Sequence, residues 1–140
     1  MKKLLLIDAH ALIHRMYHAM APLTTLEGEP IGAIYGLAGH LLKVMTETVR
    51  PDYVAACFDR PEPTFRKESY PQYKAHRQPT AADLVAQIIR SREVFEKFKI
   101  KMFELPGFEA DDLIGTLVSR LKHEPDLQII ISSGDRDLLQ

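Results

Sequence analysis

One short stretch decides the fold: Leu4-Leu5-Leu6-Ile7-Asp8, in which an unbroken apolar run ends at an acid. A short, uniformly apolar run bounded by polar residues is typical of a strand that is buried on both faces. The same pattern returns in Tyr53-Val54-Ala55-Ala56-Cys57-Phe58, which ends at Asp59. Two weaker candidates follow, at Ile100 to Leu105 and Leu127 to Ile131. The sequence therefore predicts a set of buried strands.

Helical patterns fill the intervals between these strands. Apolar residues recur at helical spacing over Ala33 to Met45 and over Glu109 to Lys122, and Ala11 to Met20 also looks helical. A further long helix is expected to start with Thr80 as its N-cap and Asp83 at its third position. Alternating strands and helices predict an α/β fold, with a mostly parallel central sheet flanked by helices. Right-handed crossovers then bring the carboxyl ends of all strands to one edge.

Composition narrows the class of protein. The chain has 140 residues, which suits one domain, and its net charge is −1, so a nucleic-acid surface must be a local patch. No apolar run approaches the ~20 residues that span a bilayer. Cys57 is the single cysteine. One cysteine excludes an intrachain disulfide, which fits a reducing cytoplasm, and its place in an apolar strand predicts a core residue.

Acidic residues follow every predicted strand. Asp8 and Asp59 come directly after the first two, a group of three follows the third after a Pro-Gly turn, and a pair follows the fourth. In open α/β sheets, ligands bind outside the carboxyl ends of the strands. The candidate metal ligands are Asp8, Asp59, Glu109, Asp111, Asp112, Asp135 and Asp137.

Such a cluster calls for cations. Two unit charges ~4 Å apart repel by about 4 kcal/mol at an effective dielectric constant near 20. Carboxylate oxygens favour hard ions, so Mg²⁺ or Mn²⁺ is expected rather than zinc, and two such ions can activate water and stabilise the leaving oxygen of a phosphodiester. The alternative is structural: an Asp after a strand can be a helix N-cap, and acids suit the first turn of a helix.

A basic, aromatic segment follows Asp59. Residues 60–79 carry five Lys and Arg against two Glu, interleaved with aromatic rings. Cations contact phosphates and rings stack on unpaired bases, although the rings could instead tuck under the domain. Arg15 could reach a phosphate near Asp8 or form a surface salt bridge. His10, His14 and His18 share a helical face, where solvated or paired side chains are commoner than a metal site.

Several motifs together resemble a known family. In family order they are Leu5-Leu6-Ile7-Asp8, Pro22-Leu23-Thr24-Thr25, Phe58-Asp59, Thr64-Phe65-Arg66, Tyr73-Lys74-Ala75-His76-Arg77, Glu109-Ala110-Asp111-Asp112 and Ser133-Gly134-Asp135-Arg136-Asp137. The chain is similar to the amino-terminal part of the 5′–3′ exonuclease domain of bacterial DNA polymerase I, within the flap endonuclease family. The resemblance implies a PIN-like nuclease core with a basic arch around residues 60–80.

The resemblance also implies residue roles and partners. Metal-dependent hydrolysis of DNA at a 5′ single-stranded end or flap is expected, with RNA primers as further substrates and a fused or cooperating DNA polymerase. The acids named above match the family's metal cluster, and Asp111 is taken as catalytic. Lys74 and Arg77 match catalytic cations at the base of the arch. The other expected DNA contacts are Arg15, Phe65, Arg66 and Tyr73.

Two departures qualify this expectation. The family usually has Gly and a small polar residue after the first acid, where this chain has Ala9 and His10. The family domain also continues past Gln140 into further metal ligands and a helix–hairpin–helix element, so residues 1–140 are expected to be its amino-terminal catalytic portion. Two alternatives stay open: a fragment that binds nucleic acid without cleaving it, and a haloacid-dehalogenase-like phosphatase. The phosphatase motif needs a second Asp where His10 stands.

Overall fold

The computed structural model describes residues 1–60 and 81–133. Within these ranges the chain forms four strands and four α-helices. The strands are β1 (Lys2–Asp8), β2 (Tyr53–Cys57), β3 (Lys101–Phe103) and β4 (Leu127–Ser132). The helices are α1 (Ala9–Ala19), α2 (Gly32–Lys43), α3 (Ala82–Lys97) and α4 (Ala110–Leu121), and a π-helical turn, Val44–Thr48, extends α2. The predicted order of strands and helices is confirmed.

The strands form one parallel sheet in the order β3-β2-β1-β4. The register aligns Asp8 with Cys57 and Ile7 with Ser132. Phe103 pairs with Cys57 on the other side of β2. All four strands therefore end close to one line, and the residues that follow them share one edge of the sheet.

Side chains of β1 alternate between two cores. Leu5 and Ile7 pack on one face with α1, α2 and α3, whereas Leu4 and Leu6 pack on the other face with α4. All four are nearly inaccessible to solvent. Because both faces are covered, the strand must be apolar throughout, which explains the unbroken run in the sequence.

The start of each helix shows where local patterns succeed and fail. α1 begins at Ala9, two residues earlier than predicted, because the Asp8 carboxylate accepts a hydrogen bond from the Ala11 N–H at 3.1 Å and caps the helix. The predicted Thr80 cap is wrong: α3 starts at Ala82 with Ala81 as its N-cap. Asp83 instead accepts hydrogen bonds from the Tyr17 hydroxyl, at 2.9 Å to each carboxylate oxygen. Asp83 therefore joins α3 to α1.

A buried glutamine joins two helices. Gln87 of α3 is 2% exposed, and its Oε1 accepts hydrogen bonds from the N–H groups of Ala33 (2.7 Å) and Ile34 (3.2 Å). These N–H groups belong to the first turn of α2, whose own N-cap, Ile31, supplies no side-chain acceptor. Gln87 thus caps α2 from another helix. No helix of the described ranges is long and apolar enough to cross a membrane.

Candidate metal and nucleic-acid site

The carboxyl edge of the sheet carries a polar residue after each strand. In sheet order these residues are Glu104 after β3, Asp59 shortly after β2, Asp8 at the end of β1 and Ser133 after β4. The first turn of α4 lies above β1 and β2, because the Ala110 N–H donates to Asp59 Oδ1 at 2.6 Å. The predicted meeting of the strand ends at one edge is confirmed, and of these four residues Asp8 and Asp59 are predicted site residues.

Asp8 sits deepest in this edge. Its side chain is buried, with 7% of the residue exposed. Oδ1 accepts the Ala11 N–H, and Oδ2 lies 3.4 Å from the Ser133 hydroxyl. Burial raises the pKa of the Asp8 carboxyl, and the nearby Asp59 charge raises it further, while the bond from Ala11 and other neighbours lower it. The fold thus holds this carboxyl where its charged form is disfavoured.

Asp111, in the first turn of α4, is an acidic neighbour of Asp8. Its side chain is the last of the causes that act on the pKa of Asp8, and it lowers that pKa. Two neighbouring carboxylates repel unless a proton or a cation lies between them, and an all-oxygen pair suits a hard ion. The predicted proximity of the first strand end and the α4 turn is therefore found.

Glu109 and Asp112 have a structural role at the same turn. Asp112 Oδ2 accepts a hydrogen bond from the Glu109 N–H at 2.9 Å, and the two residues form a capping box at the start of α4. The structural alternative considered for these acids is thus realised.

The described acids alone do not build a complete cage. Within residues 1–60 and 81–133, no group of three His, Cys, Asp or Glu side chains is arranged to hold one metal ion. Asp135 and Asp137 lie outside the described residues, so their part in the predicted cluster stays a prediction. The same holds for Phe65, Arg66, Tyr73, Lys74 and Arg77 of the basic segment.

His10 packs inside the acidic edge. Its Nδ1 is 3.7 Å from Asp59 Oδ2, and its ring meets the Phe58 ring edge-on at 5.8 Å. Burial lowers the pKa of His10, and the charge of Arg92 lowers it too, whereas the Asp59, Asp8 and Glu104 carboxylates raise it. His10 therefore belongs to the acidic edge rather than to a separate histidine metal site.

Arg15 lies on the exposed side of α1. Its charge is one of the causes that lower the pKa of His40 on α2, after the burial of that imidazole. This places Arg15 beside α2 and leaves its predicted phosphate contact a prediction.

A second charged cluster at this edge was not predicted. Glu104 Oε2 is 2.7 Å from Arg92 Nη2, and Glu104 Oε1 is 3.5 Å from Arg60 Nη1. The Arg92 guanidinium also lies 4.3 Å from the centre of the Phe58 ring. The available signal was Glu104 itself, an acid at the end of β3, as Asp8 and Asp59 are acids at the ends of β1 and β2.

A parallel sheet with acids at its carboxyl edge is an α/β core with a candidate ligand site at one end. The model of the 5′-3′ exonuclease, N-terminal resolvase-like domain matches residues 3–140. The chain belongs to this family. Two observations argue against the haloacid-dehalogenase-like phosphatase. The chain matches the model of another family, and His10 stands where the phosphatase motif needs an acid.

Relatives by sequence are DNA polymerases I. The chain is 42% identical over 138 residues to DNA polymerase I of Caldicellulosiruptor bescii, covering 99% of this chain and 16% of that protein. It is 43% identical over 141 residues to DNA polymerase I of Treponema pallidum, covering 99% and 14%. The chain thus spans about one-sixth of the length of the relatives it matches.

Solved structures share the fold. The bacteriophage T5 D15 protein, co-crystallised with metal ions, matches with a TM-score of 0.69 at 20% identity, covering 98% of this chain and 51% of that one. The T5 D15 flap endonuclease in a complex with DNA and metal ions gives a TM-score of 0.67 at 20% identity, with coverage of 98% and 50%. The expected α/β nuclease fold is confirmed.

Proposed function

We propose that this chain is the catalytic core of a divalent-metal-dependent 5′ nuclease that hydrolyses DNA phosphodiesters at 5′ ends and flaps. The meeting of Asp8, Asp59 and the first turn of α4 at one edge carries the proposal, because it gathers carboxyls where this fold binds ligands. Family membership and the DNA-bound T5 flap endonuclease of like fold support the substrate class. We also propose that RNA primers are further substrates, that the chain is fused to or acts with a DNA polymerase, and that the protein is cytoplasmic.

The metal is proposed to be Mg²⁺ or Mn²⁺, as two ions. Bound there, such ions supply an activated water and charge stabilisation for the leaving oxygen. Asp8 and Asp111 are the proposed central ligands, and Asp59 is held beside them by the Ala110 N–H. Glu109, Asp112, Asp135 and Asp137 are proposed to complete the set directly or through water. Lys74 and Arg77 are proposed to stabilise charge on the phosphate, and Arg15, Phe65, Arg66 and Tyr73 to hold the strand.

A second candidate is binding without cleavage. One observation favours it: among the described side chains no three acids form a ready metal site. In that case the acidic edge would bind metal too weakly for turnover, while the basic segment would still hold DNA.

A flap-cleavage assay separates these functions. The chain is incubated with a 5′-flap DNA and Mg²⁺ or Mn²⁺, beside Asp111→Asn and the exposed control Glu124→Gln. We expect cleavage by the wild type and by Glu124→Gln, and a loss of more than ~100-fold in Asp111→Asn, since outer-shell changes alone cost ~10–100-fold. Binding without cleavage by the folded wild type would favour the second candidate. Release of phosphate from a small phosphomonoester would contradict both.

A further inference from the structure

A cationic cluster lies beside the acidic edge. Glu104 follows β3 directly, and the Phe58 N–H donates to the Phe103 carbonyl at 2.8 Å, which aligns the ends of β2 and β3. Glu104 is therefore a lateral neighbour of Asp59. Its carboxylate faces two guanidiniums, those of Arg60 and Arg92.

Arg92 is held in a fixed position within this cluster. Its guanidinium lies over the ring of Phe58, which is completely buried and packs edge-on against the rings of Phe95 and His10. Arg92 Nη2 donates a 2.7 Å hydrogen bond to Glu104 Oε2, which fixes the direction of the guanidinium within its own plane. A guanidinium has five N–H donors, and this contact uses one. The Arg92 side chain is still 40% exposed, so a preorganised donor group faces solvent.

The Arg92 guanidinium lies beside the acidic edge, where a DNA phosphate would approach. A phosphodiester approaching Asp8, Asp59 and Asp111 meets like charge, which a neighbouring cation offsets. Arginine stacked on a ring and oriented by a carboxylate is suited to two-pronged contact with phosphate oxygens. We propose that Arg92, with Arg60 beside it, forms a subsite for a phosphate of the DNA strand next to the acidic edge, and that Glu104 holds the subsite open. This inference rests on the proposed function.

The competing interpretation is a clamp that only ties β3 to α3. The chain offers a matched control, because Arg90 on the same helix pairs with Glu29. The Arg90 side chain is 44% exposed, close to the value for Arg92. Its pairing is with the 20–31 loop rather than with the strand ends, so Arg90→Ala removes the same charge and a similar ion pair.

Metal-free DNA binding tests the subsite. The affinity of the full chain for a 5′-tailed duplex is measured by fluorescence anisotropy in EDTA, over a series of salt concentrations. We expect Arg92→Ala to weaken binding about tenfold and to reduce the salt slope by roughly one, and Arg90→Ala to change neither. Arg92→Lys should restore the slope and only part of the affinity, because lysine keeps the charge but not the planar fork.

The Glu104→Gln variant separates the subsite from the clamp interpretation. The substitution keeps both arginines but removes the carboxylate that orients Arg92, so the subsite predicts weaker DNA binding together with lower thermal stability. A clamp predicts that Glu104→Gln and Arg92→Ala lose stability together and leave binding unchanged, and that result would overturn the subsite. Equal binding by Arg92→Ala and Arg90→Ala, with metal-dependent cleavage intact, would overturn the subsite alone. A wild type that neither binds nor cleaves would overturn the proposed function as well.

Discussion

Two carboxyl groups at the same edge of the sheet have opposite surroundings. Asp8 ends β1, is buried, contacts the Ala11 N–H and the Ser133 hydroxyl, and lies near two other acids, Asp59 and Asp111. Glu104 follows β3, is about one-third exposed, and faces two arginines. The edge therefore divides into an acidic half around Asp8 and a half around Glu104 in which arginine side chains balance the acid.

The difference shows that position at a strand end does not decide what an acid does. Both residues sit where a ligand site is expected in this fold. The charge that the rest of the chain brings to each residue separates them: α4 adds acids near Asp8, and α3 adds Arg92 near Glu104. We propose that a metal ion binds beside Asp8, where acids meet acids, and that a phosphate binds beside Glu104, where two arginines meet one acid.

The strongest test of this division uses metal-induced stabilisation. An ion that binds only the native state at 100 times its dissociation constant adds about 2.7 kcal/mol to the free energy of unfolding. That corresponds to a rise in Tm of roughly 5–15 °C for a domain of this size. We expect Asp8→Asn to abolish the rise with millimolar Mg²⁺ or Mn²⁺ and Glu104→Gln to keep it, as followed by thermal denaturation. An equal rise in Tm in both variants would contradict the division of the edge into these two halves.

Stability without metal should move in opposite directions in the same two variants. Asp8→Asn keeps an oxygen that can cap α1 and removes a buried charge near Asp59, so the free energy of unfolding in EDTA should increase. Glu104→Gln should lower it by about 1 kcal/mol or less, because its ion pairs are partly exposed. Denaturant titrations measure both values. A loss of stability in Asp8→Asn would show that its carboxylate is already balanced within the protein.

The pH dependence sharpens the Asp8 half. The pKa of Asp8 is raised in the native state above its ordinary value of 3.8. Between those two pKa values the unfolded chain has lost a proton that the native chain keeps, so this group's contribution to stability falls as pH rises through the interval. The advantage of Asp8→Asn in EDTA should therefore grow with pH across this window and then stay constant. A constant advantage from the acid end onward would contradict the raised pKa.

Sequence reasoning found one half of the edge and missed the other for a physical reason. Asp8 and Asp59 could be placed because a buried strand is visible locally and parallel strands end together. The pair of Glu104 with Arg92 joins β3 to α3, and the side chain of Gln87 reaches α2 across 54 residues. Contacts of this kind depend on how helices pack on the sheet, which no local pattern encodes. The bond between Tyr17 of α1 and Asp83 of α3 is a third contact of this kind.

The smallest effect is expected at Cys57, which reports on the Asp8 half from inside the core. Cys57 is fully buried and pairs in register with Asp8. Burial, with a further contribution from the Asp8 charge, raises the pKa of the Cys57 thiol to about 12. The thiolate is the reactive form, so a thiol reagent at pH 8 should label the native chain only as fast as the chain opens. Because Asp8→Asn stabilises the metal-free protein, labelling should slow in that variant, and it should quicken in Glu104→Gln. Fast labelling of the wild type under native conditions would mean that the end of β2 opens locally, and the two halves of the edge would then not share one rigid base.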